Sequence, residues 1–96
     1  MLNKDEKIGD WKVIEPIGSG GMGSVFRCQN TLIDTVHAAV KVMRPSQVEN
    51  DKERFLREVK SLFTLNHPAI VRVSGWGEDT RRGLLWFAMD LSLIHI

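Results

Sequence analysis

The stretch that decides the fold is Ile17-Gly18-Ser19-Gly20-Gly21-Met22-Gly23-Ser24-Val25-Phe26. It holds four of the chain's eight glycines, in the spacing G-x-G-x-x-G-x-V. Glycine tolerates positive φ and has no Cβ, so a glycine-rich backbone can turn tightly and bring its N–H groups close to a phosphate. The spacing alone therefore predicts a phosphate-binding turn without saying which kind.

The flanking residues distinguish between three kinds of phosphate-binding turn. A P-loop requires G-x-x-x-x-G-K-[ST], and Ser24 stands where its lysine should be. A Rossmann fingerprint requires a helix after the last glycine, whereas residues 24–30 alternate and are rich in strand formers. Residues 11–15, before the glycines, also have the pattern of a strand. The flanks therefore favour a glycine-rich hairpin that covers the phosphates of a nucleotide.

The composition is that of one soluble globular domain. The chain has 96 residues, of which 43% are hydrophobic and 26% charged, and its formal net charge is +1. There is no basic excess of the kind that nucleic-acid binding requires. The single cysteine, Cys28, excludes an intramolecular disulfide and fits a reducing compartment. The N-terminus does not resemble a signal peptide, and no apolar run approaches the ~20 residues of a membrane helix. We expect a cytoplasmic protein that binds no nucleic acid, with a membrane anchor only if one is encoded beyond residue 96.

The order of predicted elements gives an α+β fold. We expect a polar lead-in over residues 1–10, then a five-stranded antiparallel sheet with one main helix packed across it. The predicted strands cover residues 11–15, 24–30, 35–43, about 70–75 and 84–89, with a charged turn over 77–82. The helix is predicted over residues 51–66, where Phe55, Val59, Leu62 and Phe63 form one apolar stripe.

Lys41 is the one cation in the apolar strand Ala38-Ala39-Val40-Lys41-Val42. A lysine in a strand usually points into solvent. Alternation, however, places Lys41 on the same face as Ala39, whose small side chain leaves room for something flat beside it. A lysine on this half-apolar face, next to a phosphate-binding hairpin, would meet an anion there.

Glu58 lies inside the apolar stripe of the predicted helix, three residues after Phe55 and four before Leu62. On the polar face it would pair only with Arg54, a local contact worth ~0.2–0.5 kcal/mol. Its phase instead turns it inward, where an unpaired charge costs several kcal/mol. The inward-facing cation available to it is Lys41.

These three features together resemble the eukaryotic-type protein kinases at their amino-terminal lobe, and bacterial serine/threonine kinases most of all. Gly18 to Val25 matches the glycine-rich loop, and Ala38-Ala39-Val40-Lys41 matches the V-A-I-K motif. Glu58 matches the glutamate of helix αC that pairs with the lysine. The resemblance covers about residues 11–90.

The resemblance implies that the chain binds ATP and that the whole kinase uses Mg²⁺ and a protein substrate. It implies that Lys41 holds the α- and β-phosphates and that Glu58 orients Lys41, so these two are the expected catalytic residues. The implied nucleotide-binding residues are Ile17, Gly18, Ser19, Gly20, Gly21, Met22, Gly23, Ser24, Val25, Ala39, Lys41, Met89, Asp90 and Leu91. In this set, Val25 and Ala39 line the adenine pocket, Met89 is the gatekeeper, and Asp90-Leu91 begins the hinge. Leu62 and Val73 would pack into the internal spine of the lobe.

The second half of the family pattern is missing from the sequence. The chain has no H-R-D, D-F-G or A-P-E motif, so it contains no predicted metal ligands, and the Mg²⁺ ligands are expected in the C-lobe. We therefore expect this fragment alone to be inactive. Residues 91–96, Leu-Ser-Leu-Ile-His-Ile, look like the translation of an adapter used in sequencing libraries, and we expect them to be a non-native tail.

The sequence leaves three functions open. The first is the ATP-binding lobe of a protein kinase that phosphorylates serine or threonine hydroxyls. The second is a pseudokinase or scaffold module that binds nucleotide or partners without catalysis. The third is a free-standing small nucleotide-binding or interaction domain, which the apolar strand at 84–89 disfavours because it would expose surface normally covered by a second lobe.

Overall fold

The computed structural model describes residues 2–20, 23–44, 53–54, 56–57 and 73–90. Six strands lie within these ranges: β1 Lys7–Ile8, β2 Trp11–Gly20, β3 Gly23–Asn30, β4 His37–Met43, β5 Val73–Asp79 and β6 Leu84–Asp90. They form one sheet in the order β1-β2-β3-β4-β6-β5, and every neighbouring pair is antiparallel. The prediction of an antiparallel sheet is confirmed.

The prediction of five strands is wrong, because the predicted lead-in over residues 1–10 contains a sixth. This strand, β1, pairs with the start of β2, and Ile8 lies opposite Trp11. Ile8 is only 1% exposed, so the segment is part of the core. Two residues are too few to show a period-2 pattern, which is why the sequence did not reveal this strand.

β4 begins at His37, two residues later than predicted, and two other strands extend several residues beyond their predicted ends. β2 continues through the glycines to Gly20, because its second half pairs with β3 up to Gly20 opposite Gly23. β5 includes Gly77 and Asp79, which were predicted to lie in a turn. Both residues pair with β6, and this tertiary pairing outweighs the local preference of glycine and aspartate for turns.

The predicted helix over residues 51–66 lies mostly outside the described residues. Residues 53, 54, 56 and 57 have helical backbone. The described part of the chain thus shows six strands and no complete helix, in contrast to the predicted five strands and αC.

The main core lies on one face of the sheet. Alternation along β4 places Val40 and Val42 there, and both are fully buried against Phe26 and Cys28 of β3. The complete core cluster on this face comprises Leu2, Ile8, Trp11, Val13, Phe26, Cys28, Ala38, Val40, Val42, Leu84, Trp86 and Ala88. Each large apolar side chain buried here contributes roughly 1.5–3 kcal/mol. A second, smaller cluster on the opposite face comprises Met43, Leu85 and Phe87, with Met89 packed against it.

The indole of Trp86 fits between backbone segments that only glycine allows. Gly9 has φ +56, and a Cβ placed there would overlap the Trp86 ring. A Cβ at Gly77 would lie 3.0 Å from Trp86 Nε1, so the ring is also tight against β5. The β1–β2 turn is thereby packed directly onto the β5–β6 hairpin.

Arg82 joins the same two parts of the chain by polar contacts. Its Nη1 donates to the Lys7 carbonyl oxygen at 2.8 Å and to Asp79 Oδ2 at 2.6 Å. Its Nη2 lies 3.3 Å from Glu6 Oε2. Together with Trp86, this arginine holds the N-terminal segment on the sheet.

Candidate functional site

The glycine-rich stretch forms the end of a long hairpin made by β2 and β3. Gly18 pairs with Val25, and Ser19 with Ser24. The chain therefore runs from strand to strand through the glycines, as predicted, and not from strand to helix. Gly21 and Met22, at the tip, lie outside the described residues.

The presence of glycine at positions 23 and 18 has a different structural reason at each. Gly23 has φ +151, and a Cβ there would overlap the carbonyl oxygen of Val42, so the fold itself requires glycine. At Gly18 an added Cβ would meet nothing within 4 Å. Packing among the described residues therefore does not explain this glycine. The open space beside Gly18 fits the close approach of a ligand to the backbone.

Lys41 lies in β4 on the face opposite the main core. Its direct cross-strand neighbours are Val25 of β3 and Phe87 of β6. Lys41 is half-buried, whereas Phe87 is 1% exposed. Directly opposed side chains in an antiparallel sheet lie on the same face with their Cβ atoms about 4.5–5.5 Å apart. The ammonium is thus carried on a stem that rises from an apolar surface, as the alternation predicted.

The residues expected to contact adenine lie on this same face. Ala39 is fully buried and lies opposite Met89 of β6. Val25 and Met89 are half-buried. The structure therefore brings Val25, Ala39, Lys41 and Met89 together across three adjacent strands. This arrangement offers a flat apolar surface next to the Lys41 ammonium, beside the glycine-rich hairpin.

The other predicted site residues are placed as follows. Ile17 and Ser24 are half-buried in the hairpin arms, Ser19 and Gly20 belong to the β2 arm, and Asp90 ends β6 as an exposed residue opposite Ala38. Val73, predicted for the internal spine, pairs with Met89. Glu58, Leu62 and Leu91 lie outside the described residues, as do Gly21 and Met22, so the pairing of Glu58 with Lys41 stays a prediction.

Sequence reasoning missed an ion pair on this face. Arg27 Nε lies 3.4 Å from Glu15 Oε1, and the two residues are direct neighbours between β2 and β3. The alternation of side chains along the strand from Val25 would have placed Arg27 on this face. No comparable signal existed for Glu15, because an irregularity in β2 determines its orientation.

The remaining reactive groups offer no alternative site. Burial raises the pKa of the Cys28 thiol to about 12, so it stays protonated and unreactive. Within the ranges that the structure describes, no three histidine, cysteine, aspartate or glutamate residues come together as metal ligands. In the same ranges, no helix is long and apolar enough to cross a membrane.

Comparison with known proteins identifies the family. The model of the protein kinase domain matches residues 11–92 of this chain. The chain belongs to the protein kinase family. This membership confirms the resemblance to kinases that the glycine-rich hairpin and the Lys41 strand had indicated.

The relatives of this kinase-family chain include bacterial serine/threonine kinases. Over 83 residues it is 37% identical to the DNA damage-responsive serine/threonine-protein kinase RqkA of Deinococcus radiodurans. This match covers 86% of this chain and 12% of the relative. It is 36% identical over 93 residues to the serine/threonine-protein kinase pkn3 of Myxococcus xanthus, covering 90% of this chain and 17% of the relative. The chain thus spans less than a fifth of the length of these two curated relatives.

A solved kinase domain has the same fold. The crystal structure of the Mycobacterium tuberculosis PknI kinase domain superposes with a TM-score of 0.69 at 30% identity, over 94% of this chain and 36% of that domain. The six-stranded sheet of the kinase-family chain therefore corresponds to about a third of a kinase domain. This extent fits an N-terminal lobe.

Proposed function

We propose that this chain is the ATP-binding lobe of a protein serine/threonine kinase, which transfers the γ-phosphoryl group of ATP to protein hydroxyls. The observation that carries the proposal is the shared face of Val25, Ala39, Lys41 and Met89 beside the open Gly18 backbone. The proposal extends from the family to the activity of the whole enzyme, of which this chain supplies one part.

Nucleotide binding follows from the surface properties of this face. The adenine ring packs against the apolar side chains of Val25 and Ala39, and the backbone of Asp90 and Leu91 hydrogen-bonds its edge. The glycine-rich turn presents backbone N–H groups to the phosphates, where no Cβ at Gly18 obstructs them. Backbone groups and apolar contacts hold the nucleotide in this proposal, and the charge of Lys41 orients the phosphates.

Lys41 contributes electrostatically and not as a proton donor. Its ammonium compensates the negative charge of the α- and β-phosphates at the edge of an apolar surface, where water screens the interaction less than in bulk. Glu58 holds the ammonium in place, because an oriented cation needs no reorganisation when charge shifts in the transition state.

The remaining parts of the reaction belong to the rest of the kinase. In this family, Mg²⁺ is held by the aspartate of D-F-G and the asparagine of the catalytic loop, and the H-R-D aspartate accepts the proton of the substrate hydroxyl. The 96 residues contain neither motif. We therefore propose that this chain binds ATP but transfers no phosphoryl group by itself.

The proposal is tested by Lys41→Met in the complete kinase that carries this lobe. Removing an oriented charge from the phosphates should lower kcat by about 10²–10³-fold, as for the loss of one preorganised electrostatic contact. Transfer of ³²P from [γ-³²P]ATP to a general serine/threonine substrate measures the rate. The melting temperature shows whether the fold is retained.

Lys12→Met is the matched control. Lys12 is a half-buried β2 lysine opposite Gln29, at the other end of the hairpin from the glycines, and its loss should change the rate less than twofold. Near-normal turnover by folded Lys41→Met would contradict the role proposed for Lys41. ATP binding by the wild-type kinase without any phosphoryl transfer would favour the pseudokinase alternative.

A further inference from the structure

The Glu15–Arg27 ion pair lies on the nucleotide side of the hairpin. Arg27 is the direct neighbour of Ala39, which in turn lies opposite Met89. Glu15, Arg27, Ala39 and Met89 therefore form one row across the sheet. The next row on the same face holds Gly18, Val25 and Lys41, since the row between them contains Phe26 and Val40 of the main core. The pair is a charged contact between the described parts of the two arms of the hairpin that carries the glycines.

An extra residue in β2 places Glu15 on this face. Val13 pairs with Cys28 and Glu15 with Arg27, so Ile14 has no partner in β3. Strict alternation would put Glu15 on the same face as Val13, which is 1% exposed in the main core. The bulge at Ile14 instead re-aims Glu15 to the opposite face, toward Arg27.

A second irregularity follows almost immediately. Pro16 pairs with Phe26 and Gly18 with Val25, which leaves Ile17 unpaired. Bulges bend a strand and interrupt its ladder, so the segment between them is where the β2 arm can change direction. The Glu15–Arg27 pair lies between the two bulges, just before the glycine-rich turn.

The pair is an electrostatic contact and not a full hydrogen bond. The Nε–Oε1 separation of 3.4 Å is longer than the usual N–H···O hydrogen bond of about 2.7–3.2 Å. Arg27 Nε is itself buried and makes no hydrogen bond among the described residues. The Glu15 carboxylate beside this buried donor compensates its charge.

We infer that Glu15 and Arg27 are positioning residues that hold the β2 and β3 arms of the hairpin together beside the nucleotide-binding face. The inference rests on the proposed function and adds to it. Because the pair fixes the arms that carry Gly18 and Val25, it strengthens ATP binding without touching the phosphoryl group that is transferred. Loss of the pair should therefore raise the KM for ATP and leave kcat nearly unchanged.

The test is a double-mutant cycle in the complete kinase, with Glu15→Gln, Arg27→Gln and the double variant. The side chains of Arg27 and Glu15 are 39% and 57% exposed, so the energy is that of a partly exposed pair. Each single variant should raise the KM for ATP about two- to fivefold, with kcat changed less than twofold. The double variant should be no worse than either single variant, because all three lack the same contact.

Two further measurements separate positioning from a general structural role. The charge exchange Glu15→Arg with Arg27→Glu should recover at least half of the lost affinity, and raising the ionic strength should narrow the gap between wild type and single variants. Lys12→Gln removes one positive charge from the same hairpin before the bulges, and should leave the KM unchanged. Melting temperatures confirm that each variant is folded.

Unchanged KM values, additive effects, or an equal rise in Lys12→Gln would overturn the inference while leaving the proposed function intact. Failure of the wild-type kinase to bind ATP would instead overturn the proposed function, and the inference with it. The two failures are therefore distinguishable in one set of measurements.

Discussion

Substitution of Gly9 by alanine tests how tightly the N-terminal segment is packed on the sheet. Gly9 has φ +56, and the new Cβ would overlap Cζ2 of Trp86 and lie 2.8 Å from Cη2. The indole cannot move away freely, because Cε2 and Cζ2 of the same ring are already close to the backbone at Gly77. Gly9→Ala therefore combines an unfavourable backbone conformation with a steric overlap in the core.

The two costs have different magnitudes and can be separated. A non-glycine residue in the left-handed region costs about 1–2 kcal/mol. Overpacking of a buried ring costs a further ~1–3 kcal/mol. Gly83 supplies the matched control, since it has φ +67 and an added Cβ would meet nothing within 4 Å. Gly83→Ala should therefore cost only the backbone part, about 1–2 kcal/mol.

The assay is urea unfolding of the complete kinase that carries this lobe, followed by far-ultraviolet circular dichroism. Gly9→Ala should lose about 1–3 kcal/mol more free energy of unfolding than Gly83→Ala. In a Trp86→Leu background this excess should disappear, because the smaller side chain leaves room for the methyl group. Equal losses in the two alanine variants would refute the packing of Trp86 against Gly9.

Two further predictions concern titratable groups. The backbone N–H and the side chain of Arg82 hydrogen-bond Asp79 and lower the pKa of its carboxyl from the ordinary value of 3.8. Since the folded-state pKa lies below the unfolded one, this contact stabilises the fold above the unfolded pKa and is lost as the pH falls through the folded pKa. The melting temperature of the wild type should therefore exceed that of Asp79→Asn at pH 6, and this difference should vanish toward pH 2. A difference in melting temperature that does not depend on pH would contradict the contact. Burial raises the pKa of the Cys28 thiol to about 12. Iodoacetamide at pH 8 should therefore label this residue only after unfolding in urea, and mass spectrometry can locate the label. Labelling in the folded state would show that the thiol is accessible.

The position of Lys41 shows what strand periodicity can predict. Alternation from Val36 to Met43 assigned Lys41 and Ala39 to one face and Val40 and Val42 to the other, and the structure has this arrangement. The strand is long and strongly patterned, so register is determined by which face must be buried. The prediction from the glycine spacing was correct for a similar reason. The strand-forming residues on both sides of the glycines fit a hairpin and do not fit a helix after the last glycine.

Glu15 and β1 show where this reasoning stops. A single unpaired residue at Ile14 reverses the side to which the following residue points, and no local preference marks such a bulge. β1 is held by Trp86 and Arg82, which lie more than seventy residues later in the chain. A short window of sequence cannot contain the partner that makes such a segment a strand.

The order of strands has a consequence for how the protein is made. β6 is inserted between β4 and β5, although it is the last of the described strands in the sequence. Until residues 84–90 leave the ribosome, the strand that carries Lys41 has a bare edge on that side, with unsatisfied N–H and C=O groups beside Ala39 and Val40. A nascent chain stalled before this point would expose an unpaired apolar strand edge to chaperones and to other chains, so the described part of the sheet is protected only once β6 has emerged.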